Sequence, residues 1–295
     1  MIGIVILNYN TWDLTAQCIE SIDKSCHINF KIYIVDNAST KEAPESVSGF
    51  ISSHLKCQLI KNTTNKGYAA GNNIGIRQAL QDKCEKILVT NNDVIFKDNA
   101  IDLLYYFLKE NEEYGIVGPK VFLPDGSIQE INMGCKMTIS GKYYYLLRKT
   151  PLKFLSRGFM KKYRVLPENT TKPFDVFAVS GCCFMIGNKA MECLFPLDEN
   201  TFLYEEENII GHRMEKMNLK TKYYTNSEII HLGGKSTMLM NDFSFRCFCE
   251  SEYYYCKTYL HANKFWIFPL VLFRTAEYIH KYGIKNSTFL IKRWL

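Results

Sequence analysis

Three separated stretches of this 295-residue chain carry side chains suited to gripping a cation and moving a proton. The first is Thr90-Asn91-Asn92-Asp93, which closes the apolar run Lys86-Ile87-Leu88-Val89. Such a run, bounded by polar residues, reads as a buried strand, and ligands of open α/β sheets gather just beyond the carboxyl ends of their strands. A metal-bound phosphate ester at Asp93 is one reading; a plain Asn-Asn-Asp turn is the other. The second stretch is Glu205-Glu206-Glu207, ahead of a helix expected over 208–218. The helix dipole stabilises carboxylates there, so capping charge competes with a chemical role. The third is His231, at the end of a strand and followed by Gly233-Gly234-Lys235-Ser236. Neutral imidazole is a common metal ligand.

The elements that must position these residues alternate along the first half. Strands are expected over 2–7, 31–35, 57–60 and 86–95, and helices over 11–25, 44–54, 67–81 and 99–109. This alternation predicts an α/β fold, a mainly parallel sheet covered on both faces. Right-handed crossovers bring the strand-end loops to one edge. Those loops carry Asn8-Tyr9-Asn10, Asp36-Asn37 and the stretch from Asn62 to Gly67. A carboxylate after the second strand, Asp36, suits a ribose hydroxyl. Gly67, Gly71 and Gly75 permit either close ligand approach or close helix packing. Neither a Gly-x-Gly-x-x-Gly turn nor a Walker A loop is present, which removes the main support for dinucleotide and kinase-type readings.

A hydrophobic content of 47% is that of a globular protein, and the formal charge of +6 matters less than its distribution. Eleven cysteines without a Cys-x-x-Cys pair point to reduced thiols rather than disulfides or zinc. Cys182-Cys183 and Cys247/Cys249, in apolar runs, are expected in the core. Without a signal-like start or a membrane-length apolar run, a cytoplasmic location is expected.

Four ordered motifs carry a resemblance: Val5-Ile6-Leu7-Asn8-Tyr9-Asn10, Val35-Asp36-Asn37-Ala38-Ser39, the run from Asn65 through Gly67 and Gly71 to Asn72-Asn73, and Asn91-Asn92-Asp93. Together they resemble the inverting family-2 glycosyltransferases, nearest the bacterial rhamnosyltransferase-like enzymes of cell-surface polysaccharide synthesis. The likeness covers about 2–237. It implies the GT-A (Rossmann-like) fold, with a GT-A domain over 1–240 and a helical extension over 241–295. It also implies a nucleotide-sugar donor (dTDP-rhamnose or a UDP-sugar), a glycan or polyprenyl-pyrophosphate-linked acceptor, and Mn²⁺ or Mg²⁺. By motif position Asn8, Tyr9, Asn10, Asp36, Asn37, Asn65, Gly67, Gly71, Asn72, Asn91 and Asn92 fall to the donor, and Asp93 and His231 to the metal. The stretch 202–210 resembles the family's Phe-Leu-Tyr-x-Glu-Asp-x-Asp-Leu, which places the base at Glu207 or Glu206. It departs from that pattern at Glu207 and at Ile209. A nucleotidyltransferase, or a non-catalytic nucleotide- or carbohydrate-binding module of the same fold, are the rival readings.

An insert over about 131–170 has no acid between Ile131 and Leu166. It interleaves Lys142, Arg148, Lys149, Lys153, Arg157, Lys161, Lys162 and Arg164 with Tyr143-Tyr144-Tyr145, Phe154 and Phe159. Such a mixture suits an anionic membrane surface or a lipid-linked pyrophosphate, and a solvated loop is the alternative. No nucleic-acid module accompanies it. The tail run Phe265–Phe273 is too short to span a bilayer. With Arg274, Lys281, Lys285, Lys292, Arg293 and Trp294 after it, it is expected at the inner face of the cell membrane or in a homodimer contact.

Overall fold

The computed structural model describes residues 1–130, 133–148, 150–165, 171–233 and 241–283. The loop from Gly234 to Thr237, Lys149, Lys285, Lys292, Arg293 and Trp294 lie outside the described residues. The chain opens with β1 (Ile2–Asn8), α1 (Trp12–Ser25), β2 (Phe30–Asp36), α2 (Glu45–Ser53), β3 (Cys57–Lys61), α3 (Tyr68–Gln81) and β4 (Lys86–Asn91). β5 (Val94–Phe96), α4 (Ala100–Glu110) and β6 (Tyr114–Phe122) follow. Then come β7 (Phe174–Val176), β8 (Cys183–Ile186), α7 (Asn188–Leu194), α8 (Glu206–Lys216) and β9 (Lys220–His231). One sheet joins them in the order β3-β2-β1-β4-β8-β6-β9-β5, with β7 beside β9.

Strands β3, β2, β1 and β4 are mutually parallel, as are β6 and β9, while β8 enters antiparallel between β4 and β6. Side chains of a strand alternate between faces, and the two cores follow that alternation. Ile2, Ile4 and Ile6 of β1, Ile32 and Ile34 of β2 and Leu88 of β4 pack with α1, α2 and α4. Val5, Tyr33, Val35, Ile87 and Val89 pack on the other face with α3, α7 and α8. Gly71 and Gly75 let α3 lie close on the sheet: a Cβ would meet Leu7 Cδ1 or Val5 Cγ1 at 2.5 Å. At Gly71 and Gly75 the close-packing reading of these glycines is thus realised.

Two long apolar stretches divide rather than continue. The run expected over 86–95 breaks at Asn92-Asp93: β4 stays in the sheet centre, while β5 crosses to the far edge and pairs with β9. Phe174–Ile186 likewise splits into β7 and β8, which take different neighbours. The basic insert is helical, with α5 (Ile139–Leu147), a 3₁₀ turn over Pro151–Ser156 and α6 (Arg157–Tyr163). Its Leu146 shares an apolar cluster with the two tail helices α9 (Asp242–Thr258) and α10 (Lys264–Tyr282) through Phe245, Cys249, Ile267 and Leu270. A second cluster joins Met137 and Tyr163 of the insert region to Ile209 of α8 and Tyr255 of α9. Insert and tail thus close over the acid-bearing helix. All eleven cysteines are free thiols, and Cys182, Cys183, Cys247 and Cys249 are buried.

Candidate functional site

The polar strand ends form one continuous network. Asn8, fully buried, donates from Nδ2 to Asp36 Oδ1 and Ser39 Oγ, both at 3.3 Å. Its Oδ1 accepts from Thr15 Oγ1 (3.0 Å) and Asn92 Nδ2 (3.1 Å). Asn92 also donates to Thr11 Oγ1 at 2.7 Å. Asn10 Oδ1 accepts the backbone N–H of Thr40 and Lys41. Asn8, Asn10 and Asn92 therefore shape the loops. Groups left for a ligand include Tyr9, 41% exposed, and Asp36 Oδ2, which has no hydrogen-bond partner among the described residues. Asn91 ends β4, its N–H donating to the Cys182 carbonyl at 2.8 Å.

A second cluster fixes the loop after β3. Asn37 Nδ2 donates to Asn65 Oδ1 (2.8 Å) and to the Gly67 carbonyl (3.2 Å), and Asn62 donates back to Asn37 Oδ1. Gly67, at φ +94°, lies so close to the chain at Phe202 that a Cβ would sit 2.3 Å from its carbonyl oxygen. The Tyr68 N–H donates to that same oxygen at 2.9 Å. Asn72 donates to the Tyr68 carbonyl at 3.0 Å, and its buried Oδ1 has no hydrogen-bond partner among the described residues. Its neighbour Asn73 holds Leu197 by both backbone groups (2.8 and 2.9 Å) and Glu199 Oε1 at 2.7 Å. The loop leading into the acids is thereby stitched to α3 through Asn73 and Tyr68, which belong to the third motif but were given no role of their own there.

Asp93 and His231 meet because β5 pairs with β9 in a register that sets Val94 opposite His231. His231 Nε2 lies 3.3 Å from Asp93 Oδ1. Gln129 Oε1 lies 2.9 Å from Nδ1 and holds the imidazole ring from its far side, as an outer-shell partner does for a metal-bound histidine. Among the described residues no third His, Cys, Asp or Glu joins them. One carboxylate and one imidazole therefore fit a cation that keeps water or phosphate oxygens in its shell, such as Mg²⁺ or Mn²⁺, and not a closed structural zinc site.

The three acids have three different fates. Glu205, at φ +68° before α8, is buried against the Lys142 ammonium and accepts from Asn208 Nδ2 at 3.0 Å. Lys142 also lies 3.5 Å from Glu252, which Arg274 grips through Nε (2.7 Å) and Nη2 (3.0 Å). Lys142 and Arg274 were expected on the cationic surface. Both are instead 4% exposed or less, because each has a buried carboxylate to neutralise. Glu207 accepts the Gly181 N–H at Oε1 (3.1 Å), and the carbonyl of Gly181 accepts the Tyr68 hydroxyl (2.6 Å). Removal from water raises the Glu206 and Glu207 carboxyls above their ordinary range, and the charge of Glu207 raises Glu206 further.

Glu207, and not Glu206, lines a cavity of about 260 Å³ whose wall also includes Gln129, Ser180 and Asn208. Gln129 thus touches His231 on one side and the acid's cavity on the other. The Cys182 thiol lies between the two centres. Burial pushes it up to about 12 against the Ser180 hydrogen bond, with Asp93 and Glu207 adding to the rise.

An open sheet with Asp36, an Asp–His pair and a half-buried acid pair at its carboxyl edge has the arrangement of a GT-A-type fold. The crystal structure of GalNAc-T7 with UDP, GalNAc and Mn²⁺ shares the fold at a TM-score of 0.62 and 15% identity, over 99% of this chain and 56% of that one. The family model for glycosyl transferase family 2 matches residues 3–195, and the chain belongs to that family. It is 27% identical over 222 residues to the low-salt glycan biosynthesis hexosyltransferase Agl10 of Haloferax volcanii (74% of this chain, 62% of that one). It is 23% identical over 248 residues to N-acetylglucosaminyl-diphospho-decaprenol L-rhamnosyltransferase of Mycobacterium tuberculosis (80% and 78%). Glycosyltransferase GlyG of Streptococcus pneumoniae is 30% identical over 118 residues, 40% of this chain and 38% of its own length.

Proposed function

We propose that the chain transfers a sugar, with inversion, from a nucleotide-diphosphate donor to a hydroxyl of a glycan or lipid-linked acceptor in cell-surface polysaccharide synthesis. The observation that carries this is the position of Glu207: a desolvated carboxylate in a cavity wall that Gln129 ties to the Asp93–His231 pair. Tyr9 and Asp36 offer the nucleoside a ring face and a ribose acceptor. Glu207 takes the proton of the acceptor hydroxyl as its oxygen bonds to the anomeric carbon and the bond from that carbon to the diphosphate oxygen breaks. Its raised pKa makes it a stronger base than an exposed glutamate. A divalent cation held by Asp93 and His231 would neutralise charge on the departing diphosphate. Relatives named as a rhamnosyltransferase and a hexosyltransferase support dTDP-rhamnose or a UDP-sugar as donor.

No described helix is long and apolar enough to cross a membrane. Phe265, Trp266, Phe268 and Leu272 nonetheless stand exposed on α10, and peripheral attachment at the inner face of the cell membrane is part of the proposal. The test is release of nucleoside diphosphate from dTDP-rhamnose and UDP-sugars, with Mn²⁺ or Mg²⁺ and a lipid-linked acceptor. Glu207→Gln is expected to lose about 10²–10⁴-fold in turnover while keeping donor-induced thermal stabilisation. Retained turnover in that variant would refute the base assignment.

A further inference from the structure

Tyr68 reaches the surroundings of Glu207 from two directions. Its backbone N–H donates to the Phe202 carbonyl at 2.9 Å, which fixes the chain just ahead of α8. Its hydroxyl donates to the Gly181 carbonyl at 2.6 Å, and the Gly181 N–H donates to Glu207 Oε1 at 3.1 Å. The first residue of α3 thus holds both the chain that carries Glu207 and the residue to which Glu207 bonds.

Gly181 has little preference of its own for this geometry. A glycine has wide backbone freedom, and its lack of a side chain is what lets the acid approach: a Cβ would sit 3.0 Å from Glu207 Oε1. The N–H and the carbonyl flank one Cα, so anchoring the carbonyl restricts how far the N–H can swing. On the other side the Cys182 carbonyl accepts the Asn91 N–H at 2.8 Å, which seats the segment against the end of β4. The Tyr68 ring packs on the apolar cluster of the α3 face of the sheet. A phenylalanine keeps that packing and loses the hydroxyl.

We propose that Tyr68 is a positioning residue for the transfer step: by holding the Gly181 carbonyl, its hydroxyl keeps the Gly181 N–H on Glu207 Oε1 and so keeps the base in place in the cavity wall. This rests on the transferase reading, with Glu207 as the base.

A hydrogen bond to the charged form lowers a carboxyl's pKa, and burial raises it. At Glu207 the Gly181 N–H works against the larger effect of burial. Losing the Tyr68 hydroxyl therefore moves the Glu207 titration to higher pH. The titratable groups facing Glu207 are Glu205 and Glu206 on its own helix, the Tyr68 phenol of α3 and the Cys182 thiol ahead of β8. Glu130, Lys142, Tyr145, Tyr163 and Glu252 share its cavity. Tyr68→Phe removes no charge from this set: burial first, then the charges of Glu206 and Glu207, hold the phenol well above its ordinary value and so neutral.

The titration is read without turnover, by ¹³C NMR of the full chain labelled at its glutamate carboxyls. It is done in Glu206→Gln, so that Glu207 titrates without its neighbour, and the Glu207 signal is the one that Glu207→Gln removes. Turnover is read as kcat and kcat/KM against pH with the donors and acceptor named above. Tyr68→Phe is expected to move both the NMR midpoint and the acid limb to higher pH. It is expected to lower maximal kcat about threefold to tenfold, the worth of one hydrogen bond, with donor KM changed less than about twofold. In Glu207→Gln, where no base is left to position, the same substitution should change the residual rate less than about twofold. An unmoved midpoint would overturn the proposal. So would an equal loss of rate with and without the Glu207 carboxylate, which is what a purely structural tyrosine gives. A midpoint that moves in a chain releasing no nucleoside diphosphate would refute the transferase reading and leave the hold of Tyr68 on Glu207 standing. Active transfer with an unmoved midpoint would do the reverse.

Discussion

Replacing Lys142 with Met removes the one ammonium shared by Glu205 and Glu252 and so tests how the insert supports the acid loop. Glu252 retains Arg274, so its loss is partial, whereas Glu205 keeps only the Asn208 amide among the described residues. Breaking a buried pair from one side costs roughly 3–5 kcal/mol, a large share of a stability of about 5–15 kcal/mol. The lower figure is expected here, because Glu252 is already well served. Burial works against its charge, yet Arg274 first and Lys142 second hold Glu252 at about 2 instead of 4.5. That difference is on the order of 3 kcal/mol, present above the ordinary carboxylate value and lost as pH falls through about 2. Thermal unfolding followed by circular dichroism is expected to show a fall of about 6–12 °C in Lys142→Met. Adding Glu205→Gln, which leaves no unpaired charge at that position, should recover at least half of the loss. Glu205 sets the start of α8, so donor KM is expected to hold while kcat falls. A loss under about 1 kcal/mol, the range of an exposed pair, or no recovery in the double variant, would refute the account.

Other consequences follow from the same geometry. The base must be ionised and its carboxyl is raised by burial, so kcat/KM should climb with pH above the ordinary carboxylate range. Glu206→Gln removes a neighbouring acid and should alter that limb less than tenfold in maximal rate, since Glu206 does not line the cavity; an acid limb at ordinary glutamate values would contradict the burial argument. Gly67→Ala puts a Cβ against the Phe202 carbonyl at a positive φ. It is expected to cost about 1–3 kcal/mol and to raise donor KM, measured by denaturant titration and steady-state kinetics. Replacing Phe265 and Trp266, exposed by 77% and 51%, with Ser should reduce co-sedimentation with anionic vesicles severalfold while leaving nucleotide binding intact; unchanged sedimentation would remove α10 from any membrane contact.

The local order of the fold was written in the sequence. Alternating apolar residues in Ile2–Asn8 and Phe30–Asp36 serve both faces of one sheet, and periodicity of that kind is a property of neighbours along the chain. The strand-end clusters around Asn8, Asp36, Asn65 and Asp93 were legible for the same reason: polar residues that stop an apolar run must lie at a strand end. The burial of Cys182, Cys183, Cys247 and Cys249 followed from the apolar and aromatic runs that hold them.

What neighbours along the chain cannot specify is which partner a charge finds across the fold. Lys142 and Arg274 read as surface cations, because a basic residue beside aromatics looks the same whether it meets lipid or a buried carboxylate. Only the packing of α5 and α9 against α8 decided that it meets Glu205 and Glu252. The choice between Glu206 and Glu207 was equally closed to the sequence. Both occupy the first turn of one helix; the tertiary structure sets Glu207 against the Gly181 N–H and in the cavity wall, which supports it as the proposed base. The sequence thus determined the strands, their faces and the loops holding the reactive groups; long-range pairing, set by the crossing of β5 to β9 and the closure of insert and tail, decided which of those groups meet.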